Sequence, residues 1–455
     1  MMMRRVNKSN LFQQLKDYLK DNKMELFQES LMSLHIQDQV EWFQKLDDKS
    51  VRQKVYHALT PEQLADIVQG LEIDEQQNVM DEMDRKKWIE TLNEMASDDV
   101  ADYLTELEES DVSNALNEMD PVAAKQVKKI MEYQDETAGA LMATEYIAIK
   151  TTDTVKSVMS RLRDEAPEAE TIYYIYVIDT ESKLVGVVSL RDLITNDPSI
   201  EIVDIMSNRV VSVKVNQDQE EVARLIQKYD FLAVPVITEE NMLVGIITVD
   251  DIIDVIEDEA TEDFGEISAV RGATGTDVTA WDAAKKRAPW IIMLMFLGLI
   301  TAEVIGQFEE TLETIVILAA FIPLIMDSAG NTGTQSLAVM VRNLAIGTFD
   351  KRNVWRVLRR EFLTGIMIGV GSAVTLAILI MIFYDQNLVL AGVVGTSILI
   401  TLSISTLTGS IIPLVINRLK IDPAVASGPF ITTLNDIMGL LIYFSIATSM
   451  IHYLM

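Results

Sequence analysis

The chain has no cysteine and only three histidines among its 455 residues. Without cysteine there are no disulfides, thiolate metal ligands or cysteine nucleophiles. His35, His57 and His452 are too scattered to indicate a zinc or copper site. No nucleophile–base pair, P-loop or GxGxxG phosphate motif is found either, so we do not expect an enzyme.

Basic residues are scarce as well. The chain has 38 Lys and Arg but 69 Asp and Glu, which gives a net charge of −31. Residues 1–288 carry 59 acidic and 30 basic side chains (net −29), whereas residues 289–455 carry 10 and 8 (net −2). The sequence therefore joins an acidic soluble part to an apolar part. This charge excludes nucleic acid as a partner and attracts cations. Residues 1–10 are polar and lack the apolar core of a signal peptide.

Residues 1–135 predict an acidic, all-α superhelical domain. Leu64, Ile67, Val68 and Leu71 recur at helical spacing. Pairs such as Asp120-Pro121 are typical of helix starts. Several stretches read as loose repeats of one helical unit, and stacking such units is the natural way to bury their short apolar faces.

Residues 136–260 predict an α/β domain with an internal repeat. "LVGVVSLRDLI" at 184–194 returns as "LVGIITVDDII" at 243–253, each after an apolar strand. This pattern strongly resembles a tandem pair of CBS modules, which implies a ligand-sensing regulator, often of adenine nucleotides such as ATP. The resemblance implies that Asp192 faces a ribose, with Arg191, Tyr174 and Phe231 near the base or phosphates. The alternative is that Tyr174 and Phe231 are core aromatics.

The stretch at residues 250–263 holds eight carboxylates in 14 positions: Asp250, Asp251, Asp254, Glu257, Asp258, Glu259, Glu262 and Asp263. On a helix, side chains three and four positions apart share a face, so like charges here repel unless a partner neutralises them. A solvated face is the usual meaning of a charge run. Because this run leads into the apolar part, we favour a hard divalent cation, Mg²⁺ or Ca²⁺. Residues 261–287 predict a connecting (plug) helix, clearest from about residue 276, ending in a basic cluster.

The apolar part, residues 288–455, predicts an all-α membrane domain with five spans at about 289–307, 314–344, 361–384, 388–417 and 424–453. Basic residues number three before the first span, then none, six, none and two in the successive loops. By the positive-inside rule, the N-terminus is cytoplasmic and the C-terminus outside, as in a multi-pass protein of the inner or plasma membrane.

Two features of the spans predict an ion route through the lipid bilayer. Asp436 is a lone carboxylate in the last span, where a bare charge costs at least ~2.5 kcal/mol unless it faces protein or water. The alternative is a carboxylate that caps or pairs with a neighbouring helix. In the second span, Pro323 and the stretch 327–333 predict a broken helix whose carbonyls line a cavity.

The stretches "DSAGNTGTQS" and "IDPAVASGPFITTLNDIMGLLIYF", with the order of domains, resemble the MgtE family of magnesium transporters. The resemblance implies a homodimeric, Mg²⁺-selective channel that cytosolic Mg²⁺ closes. It implies a pore site made of Asp436, helped by Asn331 and by a carbonyl near Thr432, and it places Asp422 at the pore mouth among the acidic groups that face regulatory Mg²⁺. It also implies regulatory Mg²⁺ bound between the helical domain and the CBS and connecting regions, by Asp98, Asp102, Glu220, Asp230, Asp251, Asp254, Glu259, Glu262 and Asp263.

Two residues depart from the pattern of that family. Asp327 adds a second acid within the membrane, and Thr334 stands where a carboxamide is usual. Three other functions stay open at this point: a transporter of Co²⁺ or Mn²⁺, a proton- or sodium-coupled carrier, and a membrane-tethered CBS sensor without transport.

Overall fold

The computed structural model describes residues 2–46, 48–166, 169–270, 272, 278–345, 351–384 and 387–454. The chain divides into two compact units, Met1–Val255 and Ile256–Met455. Part of the predicted connecting segment (271 and 273–277) and the loop residues Asp385 and Gln386 lie outside the described residues.

The first half of unit 1 is a stack of short helices. Their caps follow from the sequence: the Thr60 hydroxyl accepts from the backbone N–H of Gln63 at 3.3 Å, and the Asp120 carboxylate accepts from that of Val122 at 2.8 Å. Their apolar faces share one buried core with part of the α/β region that follows. Ten helices are found in the described part of this half: α1 Met2–Lys20, α2 Met24–Met32, α3 Ile36–Gln44, α4 Lys49–Ala58, α5 Pro61–Gln69, α6 Ile73–Glu82, α7 Arg85–Leu92, α8 Ser97–Thr105, α9 Glu109–Glu118 and α10 Pro121–Ile130.

The second half of unit 1 contains two small sheets with the same topology. In each, the first strand runs parallel to the middle strand, and the third runs antiparallel to it. Val177 pairs with Gly186 in one sheet and Val236 with Gly245 in the other, so the sequence repeat is also a repeat of strand register. The elements are β1 Ala148–Lys150, α11 Val155–Glu165, β2 Tyr174–Ile178, β3 Leu184–Ser189, α12 Leu190–Thr195, α13 Ile202–Ile205, β4 Val213–Lys214, α14 Gln219–Tyr229, β5 Ala233–Ile237 and β6 Leu243–Thr248.

The segment that follows the second sheet is divided between two helices. Helix α15, Val249–Ile267, begins directly after β6. Helix α16, Ala280–Gln307, begins with the basic cluster and continues into the first apolar span. The described part of the predicted connecting segment 261–287 therefore includes the end of α15 and the start of α16.

Unit 2 is helical throughout its described part and contains five helices long and apolar enough to cross a membrane, which confirms the predicted fold class. Helix α20 packs against three of the others, and Tyr443 donates a buried hydrogen bond to the carbonyl of Leu318 at 2.9 Å. After α16 the elements are α17 Glu309–Thr314, a 3-10 helix Val316–Phe321, α18 Ile322–Ala345, α19 Lys351–Phe383, α20 Leu388–Arg418, a 3-10 turn Pro423–Val425, α21 Gly428–Ser449 and α22 Ile451–Leu454.

The predicted break inside the second span is wrong. Residues 327–333 lie within the continuous helix α18, and the irregular part is the 3-10 helix that precedes it. Pro323 is the second residue of α18. Backbone N–H groups in the first turn of a helix make no hydrogen bond within it, so proline is tolerated at this position. The glycines of this stretch serve close helix packing instead of breaking the helix.

Candidate ion pathway and acidic cluster

Helices α18, α20 and α21 approach one another closely where glycines replace side chains. A Cβ atom on Gly333 would lie 1.9 Å from Nδ2 of Asn435 on α21, and one on Gly409 of α20 would lie 2.1 Å from the carbonyl oxygen of Gly333. A Cβ on Gly330 would meet the Thr432 methyl at 2.5 Å. These crossings bring the polar side chains of α18 and α21 together within the membrane-spanning unit.

Asp436 is half-buried two turns into α21, and its Oδ1 is a buried atom with no hydrogen-bond partner in the described part of the chain. Asp327 of α18 lies close enough to act on it electrostatically. Asp327 itself is exposed and accepts a hydrogen bond from Nδ2 of Asn331 at 3.0 Å. Among the described residues, neither carboxylate forms an ion pair. Two acidic groups and a carboxamide thus offer oxygen ligands without a cation of the protein to neutralise them.

The third predicted pore residue, Thr432, lies one turn before Asp436 on the same helical face. Its hydroxyl is 3.2 Å from the Thr334 hydroxyl, which donates to the Gly330 carbonyl at 3.0 Å. Thr334, which departs from the family pattern, therefore sits directly against a predicted site residue.

Asn435 is a polar residue that the sequence analysis did not select. Its side chain is 0% exposed, and neither its amide nitrogen nor its oxygen has a partner among the described residues. The only feature of the sequence that could have indicated Asn435 is its position next to Asp436. This is a weak indication, because adjacent residues on a helix point in different directions. Its burial against Gly333 comes from tertiary packing.

The start of α21 contacts the end of α15. Ile267, the last residue of α15, packs into an apolar cluster with residues of α18, α20 and α21. A Cβ atom on Gly428 would lie 3.2 Å from the carbonyl oxygen of Ile267. Close by, Asp422 is exposed and caps the short 3-10 turn through the backbone N–H of Ala424 at 2.8 Å.

A second concentration of carboxylates lies inside unit 1, where α8, the loops before β1 and β2, and the start of α15 meet. The charges that act on Asp98 are those of other acids: Asp99, Asp251, Glu145 and Glu170. Within the described part of the chain, none of these five forms a salt bridge. We call this set, with Asp102, Asp250 and Asp254, the acidic cluster.

Burial and repulsion from neighbouring carboxylates both raise the pKa of Asp98 and Asp99. Burial, together with the charges of Asp99 and Asp251, raises the pKa of Asp98 well above its usual value, and its Oδ1 has no partner in the described structure. Burial raises the pKa of Asp99 to about 6, although Gln69 donates a hydrogen bond to it. Asp98 and Asp99 are therefore held where their charged forms are disfavoured unless a cation is present.

The acidic cluster is looser than a direct metal cage. Among the described residues, no three His, Cys, Asp or Glu side chains are placed to hold a metal ion together. Glu145 is fixed by the Ser97 hydroxyl at 3.0 Å, and Asp251 accepts from the Thr248 hydroxyl at 2.5 Å as it caps α15. This arrangement suits a hydrated Mg²⁺, which gives up its waters reluctantly.

The other predicted metal ligands are dispersed. Glu220 and Asp230 lie at opposite ends of α14, about 15 Å apart along its axis, and Glu220 pairs with Arg224 at 2.8 Å. Glu259, Glu262 and Asp263 follow one another along the second half of α15, where all three are partly buried. Sequence reasoning missed Asp99, Glu145 and Glu170, which share no local pattern with the residues that they approach.

The predicted nucleotide residues belong to two modules. Tyr174 starts β2, and Arg191 and Asp192 lie on α12 of the same module, whereas Phe231 precedes β5 of the other. Asp192 accepts a hydrogen bond from the Ser189 hydroxyl at 2.6 Å and so caps α12. Phe231 is half-buried and stacks on Tyr229 with ring centroids 5.3 Å apart. Arg191 is exposed.

Comparison with known proteins identifies relatives that match this chain over nearly its whole length. The chain is 44% identical over 436 residues to the magnesium transporter MgtE of Bacillus subtilis, covering 96% of both chains. It belongs to the MgtE family of magnesium transporters. The MgtE transporter of Enterococcus faecalis is 45% identical over 449 residues, covering 97% of each chain.

Family models match three parts of the chain in order. The MgtE intracellular N domain matches residues 34–136, CBS domains match 138–198 and 202–258, and the MgtE divalent cation transporter domain matches 322–446. The acidic cluster thus draws on the N domain and both CBS modules, and Asp327, Asn331, Thr432 and Asp436 fall within the transporter domain.

Two solved structures match the soluble unit of this MgtE-family chain. The crystal structure of the soluble part of a magnesium transporter is 44% identical, with a TM-score of 0.54, and covers 56% of this chain and 99% of that one. The cytosolic domain of the Mg²⁺ channel MgtE in complex with ATP is 38% identical, with a TM-score of 0.50, and covers 53% and 98%.

Proposed function

We propose that the chain carries Mg²⁺ across the membrane along α18 and α21, and that Asp436 holds the hydrated ion. The observation that carries this proposal is the buried Oδ1 of Asp436, which has no hydrogen-bond partner in the described structure although a second acid, Asp327, lies within electrostatic range. A membrane carboxylate without a permanent partner is costly unless a cation or water supplies the missing interaction. Asn331 and Thr432 add oxygen ligands, and Asp422 attracts ions at the mouth.

The working protein is a homodimer in this proposal. Asp327 and Asn331 are exposed on a single chain, and facing lipid would cost several kcal/mol. A second copy that placed the same face opposite would enclose an aqueous path with one Asp436 from each chain. Such a site binds a doubly charged ion electrostatically and remains weak enough to release it.

Closure is proposed to follow from Mg²⁺ in the acidic cluster. Without the ion, the carboxylates of α8, of the loops before β1 and β2, and of α15 repel one another. With it, α15 is held at its first turn by Asp251, while its last residue, Ile267, packs at the start of α21. The ion then biases an element with two states, and α15 transmits the bias to the pore. The predicted ligands that lie outside the acidic cluster would hold other Mg²⁺ ions: Glu220, Asp230, Glu259, Glu262 and Asp263.

The proposed orientation puts the acidic unit in the cytoplasm and the C-terminus outside the inner or plasma membrane. It is supported by the placement of basic residues, which lie near the start of α16, on the end of α18 and the first turns of α19, and around the end of α20. The opposite ends of the spans, residues 306–314 and 384–387, hold none. The regulatory cluster would then sense the ion concentration inside the cell.

ATP is proposed as a second regulatory ligand of the CBS pair. A related cytosolic domain has been solved in complex with ATP. The predicted site here offers aromatic, cationic and acidic groups suited to an adenine nucleotide, from Tyr174, Arg191, Asp192 and Phe231. We expect ATP to bind the full-length protein and Arg191→Ala to weaken binding by about tenfold, because a charge-assisted contact to phosphate is lost. Equilibrium dialysis with labelled ATP measures this, and equal binding by both proteins would contradict it.

Ion uptake by proteoliposomes tests the proposed function. Mg²⁺, Ca²⁺, Mn²⁺ and Co²⁺ are each supplied outside, with Mg²⁺ present or absent on the side of the soluble unit. We expect Mg²⁺ to enter at the highest rate and internal Mg²⁺ to slow it. Preference for Mn²⁺ or Co²⁺ would favour the broader transporter, and no uptake of any ion would favour the sensor without transport. Single-channel recording separates a channel from a coupled carrier.

A further inference from the structure

A cavity of about 520 Å³ lies between α18, α19 and α20. Its polar lining comes from all three helices and includes Gln335, Arg342, Asn343, Arg360, Thr364 and Thr406. None of these residues was selected by the sequence analysis as a site residue.

The lining changes along the helices from charged side chains to uncharged ones, which are threonines and Ile368 at the inner end. On α18 it runs from Thr332 to Arg342, about 15 Å, and on α19 from Arg360 to Ile368, about 12 Å. Arg342 lies in the last turn of α18 and Arg360 in the third turn of α19, whereas Ile368 lies deeper in the span and is exposed. A molecule with an anionic head and an apolar tail matches this order of side chains.

The carboxylate in the cavity is already neutralised. Glu361 is 6% exposed, accepts from the Ser336 hydroxyl at 3.0 Å, and pairs with Arg360 at 3.0 Å. Arg342 is exposed and has no side-chain partner among the described residues. The three charged groups therefore leave one positive charge at the end of the cavity where Arg342 lies.

We propose that this cavity binds the headgroup phosphate of an anionic membrane phospholipid, with Arg342 as the principal contact and an acyl chain along Ile368. Basic pockets between membrane helices bind anionic headgroups because the charge is neutralised while the tail stays in hydrocarbon. A soluble anion would neutralise Arg342 but would leave the uncharged inner end of the cavity unfilled.

Native mass spectrometry of the full-length protein in detergent tests this, with phosphatidylglycerol as the probe and phosphatidylcholine and inorganic phosphate for comparison. We expect phosphatidylglycerol to bind best. Arg342→Gln should weaken its binding about five- to tenfold, since each basic residue near the headgroup contributes on the order of 1 kcal/mol. Thr364→Trp should do the same by filling the cavity while leaving every charge in place.

Arg359→Gln is the matched control, because Arg359 is exposed on the same turn of α19 but does not line the cavity. It should weaken binding by less than about twofold. Equal melting temperatures of the variants in neutral lipid would show that they fold. The proposal is overturned if all three variants bind alike, if phosphatidylcholine or inorganic phosphate binds as well as phosphatidylglycerol, or if Thr364→Trp changes the oligomeric state, which would make the cavity an interface between copies.

Discussion

Replacing Asp436 by Asn should reduce Mg²⁺ uptake by at least about tenfold, because the variant keeps the shape of the side chain but loses its charge. In the structure the Oδ1 atom of Asp436 has no hydrogen-bond partner among the described residues, so its charge has no evident structural role to lose. Uptake of Mg²⁺ into proteoliposomes, normalised to the amount of inserted protein, measures the effect.

Glu303→Gln is the control for this experiment. Glu303 is an exposed carboxylate of α16, so the variant removes one acid from a spanning helix without touching α18 or α21. We expect it to transport at close to the wild-type rate. If Asp436→Asn transports as fast as Glu303→Gln, then Asp436 is not the ion-binding residue of the pore.

The second large effect is expected in the acidic cluster. In the wild-type chain, Mg²⁺ should increase the resistance of residues 1–260 to protease, because the ion offsets the repulsion between α8 and α15. The double variant Asp98→Asn, Asp251→Asn should be more resistant without Mg²⁺ and should gain little from it. Removing one repulsive contact should stabilise the closed, protease-resistant state by on the order of 1 kcal/mol. This corresponds to a roughly fivefold change in the ratio of closed to open molecules. Limited proteolysis of the full-length protein across a Mg²⁺ titration measures both quantities.

A double variant of equal charge separates the site from general electrostatics. Glu108→Gln, Glu109→Gln also removes two acids, but both lie exposed at the start of α9. It should retain the wild-type response to Mg²⁺. An unchanged response in the Asp98, Asp251 variant would show that the acidic cluster is not the sensor.

The two sheets and the five spans were predictable because their signals are local. The 59-residue spacing between the two "LVG" segments returns as matching strand register, with Gly186 and Gly245 at equivalent positions. A membrane span is recognised from a run of apolar residues alone. The structure contains both the two predicted sheets and five helices of spanning length. Domain boundaries and the roles of individual site residues remain predictions.

Gly330 and Gly333 show where local reasoning failed. Glycine lowers helix propensity, so the sequence favoured a break. In the structure the same residues lie within the continuous helix α18, because α20 and α21 pack against them at distances that no side chain would allow. Packing against two neighbours outweighs a cost of about 1 kcal/mol per glycine.

The sequence alone determined the chemical character of each part: an acidic soluble unit, a repeated α/β module, and five apolar helices with a carboxylate in the last. These follow from charge, spacing and hydropathy, which neighbouring residues carry regardless of the rest of the chain. Only the tertiary structure decided which charges meet. It brought Asp98, Glu145, Glu170 and Asp251 together and set Asp327 near Asp436, because long-range contacts depend on how whole elements pack, which no short stretch encodes.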